Sequence, residues 1–130
     1  FQALIKRAFI FKLINSLSKA GVKLYSPEFV LNEIENREER LLRYSGLTKV
    51  ELEFVIKLLF KKIEIVPLSK YSKFLPESLT IFPQHSKDAP YFALALSSDK
   101  FALWSDEKRH KQQSEVKVYS TPELIKQLGA

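Results

Sequence analysis

Three acidic positions lie at or shortly after the ends of short apolar segments that predict β-strands. Glu33 lies about two turns into the helix predicted after residues 22–25. Asp88 directly precedes an apolar helix, and the pair Asp106 and Glu107 follows a third apolar segment. In open parallel sheets, sites form beyond the carboxyl ends of the strands. Carboxylates from these elements could converge there on a hard cation such as Mg²⁺, which prefers oxygen ligands.

Each acidic position also has an ordinary structural explanation. Glu33 could pair with Arg37 on a solvated helix, which would contribute only about 0.2–0.5 kcal/mol. Asp88 could be a helix N-cap, a role that is compatible with metal binding. Asp106 and Glu107 could belong to a polar turn that leaves a strand. The pattern alone leaves both explanations open at all of these positions.

The composition limits the chemistry that the chain can support. Its 130 residues include no cysteine and only two histidines, His85 and His110. This excludes disulfides, zinc–thiolate sites and cysteine nucleophiles. His85 is expected in an exposed loop, and Trp104 is expected to pack in the core. Lys and Arg outnumber Asp and Glu by 21 to 15, and the net charge of +6 favours anionic partners such as nucleic acid, although basic charge can equally serve solubility.

Two groups of basic residues could contact a phosphate backbone. Neutralising phosphates with these side chains would make RNA binding strongly dependent on salt, and a solvated basic face is the alternative explanation. The candidates are Lys6, Arg7 and Lys12 on the first predicted helix, and Lys108, Arg109, His110 and Lys111 directly after the third acidic position.

Local capping signals predict most helix boundaries. Small polar residues followed by proline, or by an acid three positions on, are typical of helix starts, and glycine is typical of helix ends. The helix that starts at Ser26 is expected to run unbroken to about Tyr44. The predicted starts are Ser26-Pro27-Glu28, Thr48 with Glu51, and Thr121-Pro122-Glu123, and the predicted ends are Gly21 and Ser45-Gly46.

Short apolar segments predict strands at residues 22–25, 63–66, 101–104 and 116–119. Helices are predicted between them, including a buried helix at residues 88–96 and a short one near residues 71–79. This alternation favours an α/β fold, a parallel sheet covered by helices on both faces, in a single domain over residues 1–130. No apolar run approaches the roughly 20 residues that cross a bilayer, so a soluble intracellular protein is expected.

Four segments occur in the order and spacing typical of PIN domains, and the chain resembles this family from end to end. They are Ser26–Ile34 (SPEFVLNEI), Lys87–Ala95 (KDAPYFALA), Leu103–Lys108 (LWSDEK) and Val116–Leu124 (VKVYSTPEL). The resemblance implies a three-layer α/β/α sandwich with a central parallel sheet. It also implies Mg²⁺- or Mn²⁺-dependent cleavage of RNA.

The resemblance further implies roles for individual residues and partners. Glu33 and Asp88 would coordinate the metal, and Ser105 would assist through its hydroxyl. Glu107 stands where the family usually has Asp, with Asp106 beside it as the alternative ligand. Many PIN domains are toxins of the VapC type that a small antitoxin neutralises, and many dimerise. RNA, an antitoxin and a second copy of the chain are therefore the expected partners, in the cytoplasm.

The start of the chain departs from the family pattern. PIN domains open with a strand that ends in a metal-binding Asp, whereas residues 1–7 resemble the segment just after that Asp, and the chain contains no methionine. The first strand and its Asp are therefore expected upstream of Phe1. The alternative to a ribonuclease is a degenerate, non-catalytic PIN-like module that binds RNA or a protein partner. Small-molecule phosphate chemistry is disfavoured, because three glycines provide no glycine-rich cradle.

Overall fold

A computed structural model describes the backbone of residues 7–129 and the side chains of residues 12–129. Within this range the chain contains seven α-helices and four short strands, separated in places by 3₁₀ turns. The described residues form two compact units, divided between Ile65 and Val66.

The first unit is mainly helical. Its elements are α1 (Arg7–Lys19), β1 (Leu24–Pro27), α2 (Phe29–Asn36), α3 (Glu38–Ser45), α4 (Lys49–Phe60) and most of β2 (Ile63–Val66). Strands β1 and β2 pair in a two-stranded sheet. Buried leucines from α1, α3 and α4 supply its apolar interior, among them Leu17, Leu41 and Leu59.

The helix ends of the first unit follow the predicted glycine signals. Gly21 has a φ of 84°, a conformation that glycine adopts without steric cost. The N–H of Val22 donates to the carbonyl of Leu17 at 2.9 Å, and the N–H of Gly21 donates to Ser18 at 3.1 Å. These two bonds form a Schellman motif, which satisfies carbonyls at the end of α1. Gly46, with a φ of 68°, ends α3 in the same left-handed region.

The predicted capping box at the start of α4 is confirmed. The hydroxyl of Thr48 accepts from the N–H of Glu51 at 3.2 Å, and the Glu51 carboxylate accepts from the N–H of Thr48 at 2.9 Å. Two donors that have no partner within the helix are therefore satisfied reciprocally.

The predicted helix from Ser26 to Tyr44 is wrong in two respects. Ser26 and Pro27 belong to β1, and Glu28 precedes α2 without a side-chain capping bond. The helix also breaks at Arg37, whose φ of −114° and ψ of 15° separate α2 from α3. The charged segment around Arg37 contains neither glycine nor proline, so no local signal predicted the break.

The second unit consists of short elements around one buried helix. They are α5 (Leu75–Ile81), α6 (Ala89–Leu96), β3 (Leu103–Trp104), β4 (Val118–Tyr119) and α7 (Thr121–Gln127). Strands β3 and β4 are parallel, with Leu103 opposite Val118 and Trp104 opposite Tyr119. The predicted parallel pairing is therefore confirmed for these strands.

Helix α6 provides most of the apolar core of this unit. Phe92, Ala93, Leu94 and Ala95 are all buried, as the apolar run predicted. Phe92 and Ala95 pack with Val116, while Ala93 and Leu94 belong to a second buried cluster. A helix that is fixed on several sides gives its first turn, where Asp88 lies, a defined position.

The start of α7 corrects one predicted cap. Ser120 is the N-cap residue, and its hydroxyl accepts from the N–H of Glu123 at 3.3 Å. Thr121, which the sequence suggested for this role, is the first helical residue, and its side chain bonds elsewhere. Pro122 follows at the second helical position. A backbone N–H at this position would have no acceptor within the helix, so proline, which lacks the N–H, costs no hydrogen bond there.

The described chain is α/β, as predicted, but its sheets are small. The four strands of residues 7–129 pair as two separate two-stranded sheets, each strand having two to four residues. Backbone pairing is thus less extensive than in one continuous central sheet, and helices supply most of the regular structure.

Candidate functional site

Asp88 is the centre of a polar cluster in the second unit. It ends the 3₁₀ turn at residues 86–88 and directly precedes α6. It occupies the N-cap position of that helix, as the sequence suggested, but its side chain makes no capping hydrogen bond. Its Oδ2 atom instead accepts from Nη2 of Arg109 at 2.8 Å and from Nε2 of His110 at 3.0 Å.

Arg109 connects Asp88 to the acid that follows β3. Its Nη1 donates to Oε2 of Glu107 while its Nη2 donates to Asp88. The guanidinium therefore lies between two carboxylates that come from different elements. Its planar fork presents several N–H donors in fixed directions, which suits a group that pairs with two acids at once.

His110 holds Asp88 from within the apolar core. Its ring is almost fully buried, at 7% exposure, and packs edge-on against Phe92, with 5.2 Å between the ring centroids. Phe82 lies 5.8 Å from the same ring, measured between centroids. A buried polar ring needs hydrogen-bond partners, and Asp88 and Ser105 provide them at its two nitrogens.

Hydrogen bonds at both ring nitrogens connect His110 to Asp88 and to Ser105. Because an ionised carboxylate only accepts, Nε2 of His110 donates to Asp88. Nδ1 lies 2.7 Å from the Ser105 hydroxyl; it accepts from that hydroxyl when the ring is neutral and donates to it when the ring is protonated. The Ser105 oxygen also accepts from the backbone N–H of Glu107 at 3.1 Å. Ser105, His110 and Asp88 thus form a continuous hydrogen-bonded chain.

The cluster keeps Asp88 ionised. Partial burial acts to raise the pKa of Asp88, but hydrogen bonds from His110 and Arg109, with their charges, outweigh burial and lower the pKa below its ordinary value. The hydrogen bond to Asp88 in turn raises the pKa of Arg109 above its usual range. The pair is therefore an ionised carboxylate beside a permanent cation.

Asp106 points to a different neighbour from Glu107. Its Oδ1 accepts from the backbone N–H of Thr121 at 2.6 Å, and its Oδ2 accepts from the Thr121 hydroxyl at 2.7 Å. The Thr121 hydroxyl also accepts from Nε1 of Trp104 at 2.9 Å. Both carboxylate oxygens of Asp106 are therefore committed to the start of α7, whereas Glu107 shares Arg109 with Asp88.

The basic candidates for RNA contact fall into different environments. Lys108 is exposed, and Lys111 donates to Glu123, whose pKa is lowered to about 2 by Lys111 and by the Ser120 backbone N–H. Arg109 is paired with two carboxylates. Lys12 is exposed on α1. Lys6 and the side chain of Arg7 lie outside the described residues.

The remaining acid, Glu33, lies in the first unit. It is half-buried on α2, next to the apolar residue Ile34. Its predicted convergence with Asp88 stays a prediction. His85 is exposed, as expected, in the turn before α6.

The carboxylate pair has the donor chemistry of a divalent-cation site. Within the described part of the chain, no three acidic or histidine side chains form a group that could hold a metal by themselves. Mg²⁺, however, keeps several waters and often takes only one or two protein carboxylates. Asp88 and Glu107 both form ion pairs with Arg109, which shows that the two carboxylates together can stabilise one positively charged group. Their oxygens therefore fit a hard cation in type and charge.

The sequence pattern did not predict two members of this cluster. His110 and Arg109 looked like ordinary parts of a basic run, and nothing in their spacing indicated that they face Asp88, which is distant in the chain. One signal favoured His110: it is the only residue of the run Lys108–Lys111 that lacks a permanent charge and can be buried at low cost.

The sequence model of the PIN domain matches residues 1–120. The chain therefore belongs to the PIN-domain family, and the predicted resemblance to this family is confirmed. PIN domains are generally nucleases and usually use divalent metal ions. No curated protein and no solved structure matches the chain. None of the described helices has both the length and the apolar character needed to cross a lipid bilayer.

Proposed function

We propose that this chain is a metal-dependent endoribonuclease in which Asp88, Glu107 and Glu33 hold the cation. The main support is that Asp88, which precedes α6, and Glu107, which follows β3, both form ion pairs with Arg109. Family membership supports the nuclease class. We also propose that residues 1–130 form one PIN-like domain.

The chain's own residues would position the reacting groups. Asp88 is kept ionised and oriented by His110, which is itself fixed by packing against Phe92. Ser105 orients the imidazole from its other nitrogen and lies beside the backbone of Glu107. A bound Mg²⁺ or Mn²⁺ would supply Lewis acidity, which stabilises negative charge on a phosphodiester and makes water a better nucleophile at neutral pH.

The geometry favours Glu107 over Asp106 as the ligand after β3. Asp106 uses both carboxylate oxygens at the start of α7, so binding a metal would break two hydrogen bonds. Glu107 contributes to the cluster around Asp88 through Arg109. The longer side chain of Glu extends the carboxylate by one methylene relative to the Asp usual in the family. We therefore propose Glu107 as the ligand and Asp106 as the residue that fixes its surroundings.

The basic residues give the proposed site an affinity for RNA. Lys108 is exposed one residue after Glu107, and Lys111 follows three positions later. We propose that these side chains contact the RNA backbone, together with Lys6 and Arg7. Binding should then weaken steeply as salt rises, because neutralised phosphates release counter-ions.

A toxin role of the VapC type is the finer part of this proposal. It would place the chain in the cytoplasm, as a homodimer, with a small antitoxin protein as its inhibitor. The test is expression in bacterial cells of the wild type and of Glu33→Gln. Growth arrest by the wild type alone supports the toxin role, whereas unaffected growth with both, at equal protein levels, contradicts it.

The decisive experiment compares Mn²⁺ binding and RNA cleavage by the same proteins. We expect the wild type to bind Mn²⁺ in calorimetry and to cleave RNA until a chelator is added. Asp88→Asn should lose both properties. Asp99→Asn removes the same charge from an exposed loop and is the matched control. Loss of both in Asp88→Asn but not in Asp99→Asn supports the proposal.

The opposite result would favour a non-catalytic module. The observation that favours this second candidate is the pairing of Arg109 with both acids, which already balances their charge. Such a module would bind RNA, or a protein partner, equally well with Mn²⁺ and with chelator. RNA binding without cleavage in either condition would overturn the nuclease proposal.

A further inference from the structure

We propose that Arg109 is a built-in competitor for the divalent cation, so that the metal must displace its guanidinium to bind Asp88 and Glu107. The inference rests on the proposed function, because it concerns the same pair of carboxylates. It assigns to Arg109 a role that differs from contact with RNA.

The guanidinium of Arg109 occupies the space between the two acids. Nη2 lies 2.8 Å from Oδ2 of Asp88, and Nη1 donates to Oε2 of Glu107. One cationic group therefore contacts one oxygen of each acid, and these are the oxygens that a divalent cation held by Asp88 and Glu107 would need. A guanidinium and a metal ion cannot both lie between these two oxygens.

Arg109 is not fully satisfied in this position. Its Nε is buried, and it finds no hydrogen-bond partner among the described residues. A buried donor without an acceptor loses its hydration without compensation. The arrangement is therefore less stable than one in which every N–H of the guanidinium is paired, which favours the release of the side chain.

The carboxylates do not depend on Arg109 alone. His110 donates to the same oxygen of Asp88 and is fixed by the aromatic rings of Phe82 and Phe92. Ser105 accepts from the backbone N–H of Glu107. Asp88 and the backbone that carries Glu107 therefore keep partners when the guanidinium leaves, and the side chain of Glu107 becomes free to turn toward the metal.

Removal of Arg109 should either strengthen or weaken metal binding, and the direction of the change depends on the role of Arg109. If Arg109 competes with the metal, its removal strengthens metal binding, because no ion pair has to be broken first. If Arg109 instead only holds the two acids in place, its removal weakens metal binding, because the ligands lose their orientation. A purely structural role and a competing role therefore predict opposite results.

The test is Mn²⁺ calorimetry on the full chain with Arg109→Ala, and with Lys108→Ala as the matched control. Lys108 is exposed beside Arg109, so its variant removes one positive charge without removing a bond to Asp88 or Glu107. The control measures the general gain in cation affinity from lower positive charge. We expect Arg109→Ala to bind Mn²⁺ about tenfold more tightly than Lys108→Ala.

Arg109→Lys guards against a failure of Arg109→Ala to fold. A lysine keeps the charge but presents a single ammonium group, which does not bridge two carboxylates as a fork does. We expect its Mn²⁺ affinity to lie between those of the wild type and Arg109→Ala, with circular dichroism confirming that it is folded. An affinity below that of the wild type would overturn the inference.

A spectroscopic measurement observes the displacement directly. The side-chain ¹⁵N–¹H signal of Arg109, assigned by its absence in Arg109→Lys, should shift as diamagnetic Mg²⁺ is added. The signal of Arg43, exposed on α3, should stay unchanged. An Arg109 signal that is constant while calorimetry detects binding would overturn the inference.

The outcomes separate this inference from the proposed function. If the wild type binds Mn²⁺ and Arg109→Ala binds no more tightly than Lys108→Ala, Arg109 is not a competitor, and the metal site stands. If no folded variant binds Mn²⁺, the metal-dependent function is overturned, and the inference with it.

Discussion

His110 donates from Nε2 to Oδ2 of Asp88 across 3.0 Å, which attaches a half-buried carboxylate to an almost fully buried ring. The ring packs against Phe92 of α6, so the first turn of that helix and the segment after β3 are joined at one point. The carboxylate consequently has a fixed direction and a defined charge, which are the properties that a metal ligand needs.

His110→Ala is expected to destabilise the second unit. The substitution removes a buried ring beside Phe82 and Phe92 and takes a donor from Asp88, so the free energy of unfolding should fall by about 2–4 kcal/mol. His85→Ala is the control: His85 is exposed, and its loss should change stability by less than about 0.5 kcal/mol. Urea unfolding measures both. Equal effects would mean that the His110 ring does not contribute as its burial indicates.

Substitutions of the two acids after β3, Asp106 and Glu107, should have different effects on metal binding and on stability. Glu107→Gln is expected to weaken Mn²⁺ binding while leaving the unfolding temperature nearly unchanged, because its side chain is exposed. Asp106→Ala should lower stability by about 0.5–1.5 kcal/mol, since Thr121 loses two hydrogen bonds, and should leave Mn²⁺ binding intact. Calorimetry and thermal unfolding on both variants give the comparison. The reverse pattern would identify Asp106 as the ligand.

Glu33→Gln should reduce RNA cleavage by about 100-fold or more while the chain stays folded, because it removes one proposed ligand and keeps the shape of the side chain. Glu35→Gln provides the control on the same helix, as Glu35 is exposed on α2. Cleavage of a labelled RNA in Mn²⁺ is the measurement. Equal activity of the two variants would remove Glu33 from the site.

Stability should depend on the ionisation of Asp88 in acid. Its pKa is lower in the folded chain than its ordinary value of 3.8, so the unfolded form takes up the proton first as the pH falls. The stabilisation from the Asp88 carboxylate is therefore complete above the ordinary pKa and is lost as the pH falls through the folded pKa.

The measurement is the unfolding temperature of the wild type and of Asp88→Asn at several pH values between about 6 and 2. The difference between the two proteins should be largest at the upper end and should shrink below about pH 4. A difference that stays constant over this range would contradict the ionised pairing of Asp88 with Arg109 and His110.

Boundaries set by neighbouring residues could be predicted from the sequence. The capping box at Thr48 and the left-handed glycines, Gly21 and Gly46, depend on groups within a few residues, and the structure confirms them. Ser26-Pro27-Glu28 carries a similar signal, but the first two of these residues extend β1. Strand pairing thus overrode a local preference for a helix start, and tertiary contacts of this kind are not encoded in short patterns.

The candidate site was predictable in part for the same reason. Asp88 and Glu107 stood out because acids near strand ends are typical of cation sites. Asp88 does occupy the N-cap position of α6, but its carboxylate bonds Arg109 and His110, which lie about twenty residues further along the chain and which no local pattern indicates. Only the three-dimensional arrangement shows that one basic run supplies both the guanidinium and the buried imidazole that contact Asp88.

Trp104 is the only tryptophan of the chain, and its indole N–H donates to the Thr121 hydroxyl that also bonds Asp106. The tryptophan fluorescence of the protein therefore reports on a single indole, which lies three residues before Glu107. Any rearrangement that pulls the end of β3 away from α7 changes the surroundings of this one indole. The protein consequently contains its own optical reporter, which can follow events beside the carboxylates without an attached dye.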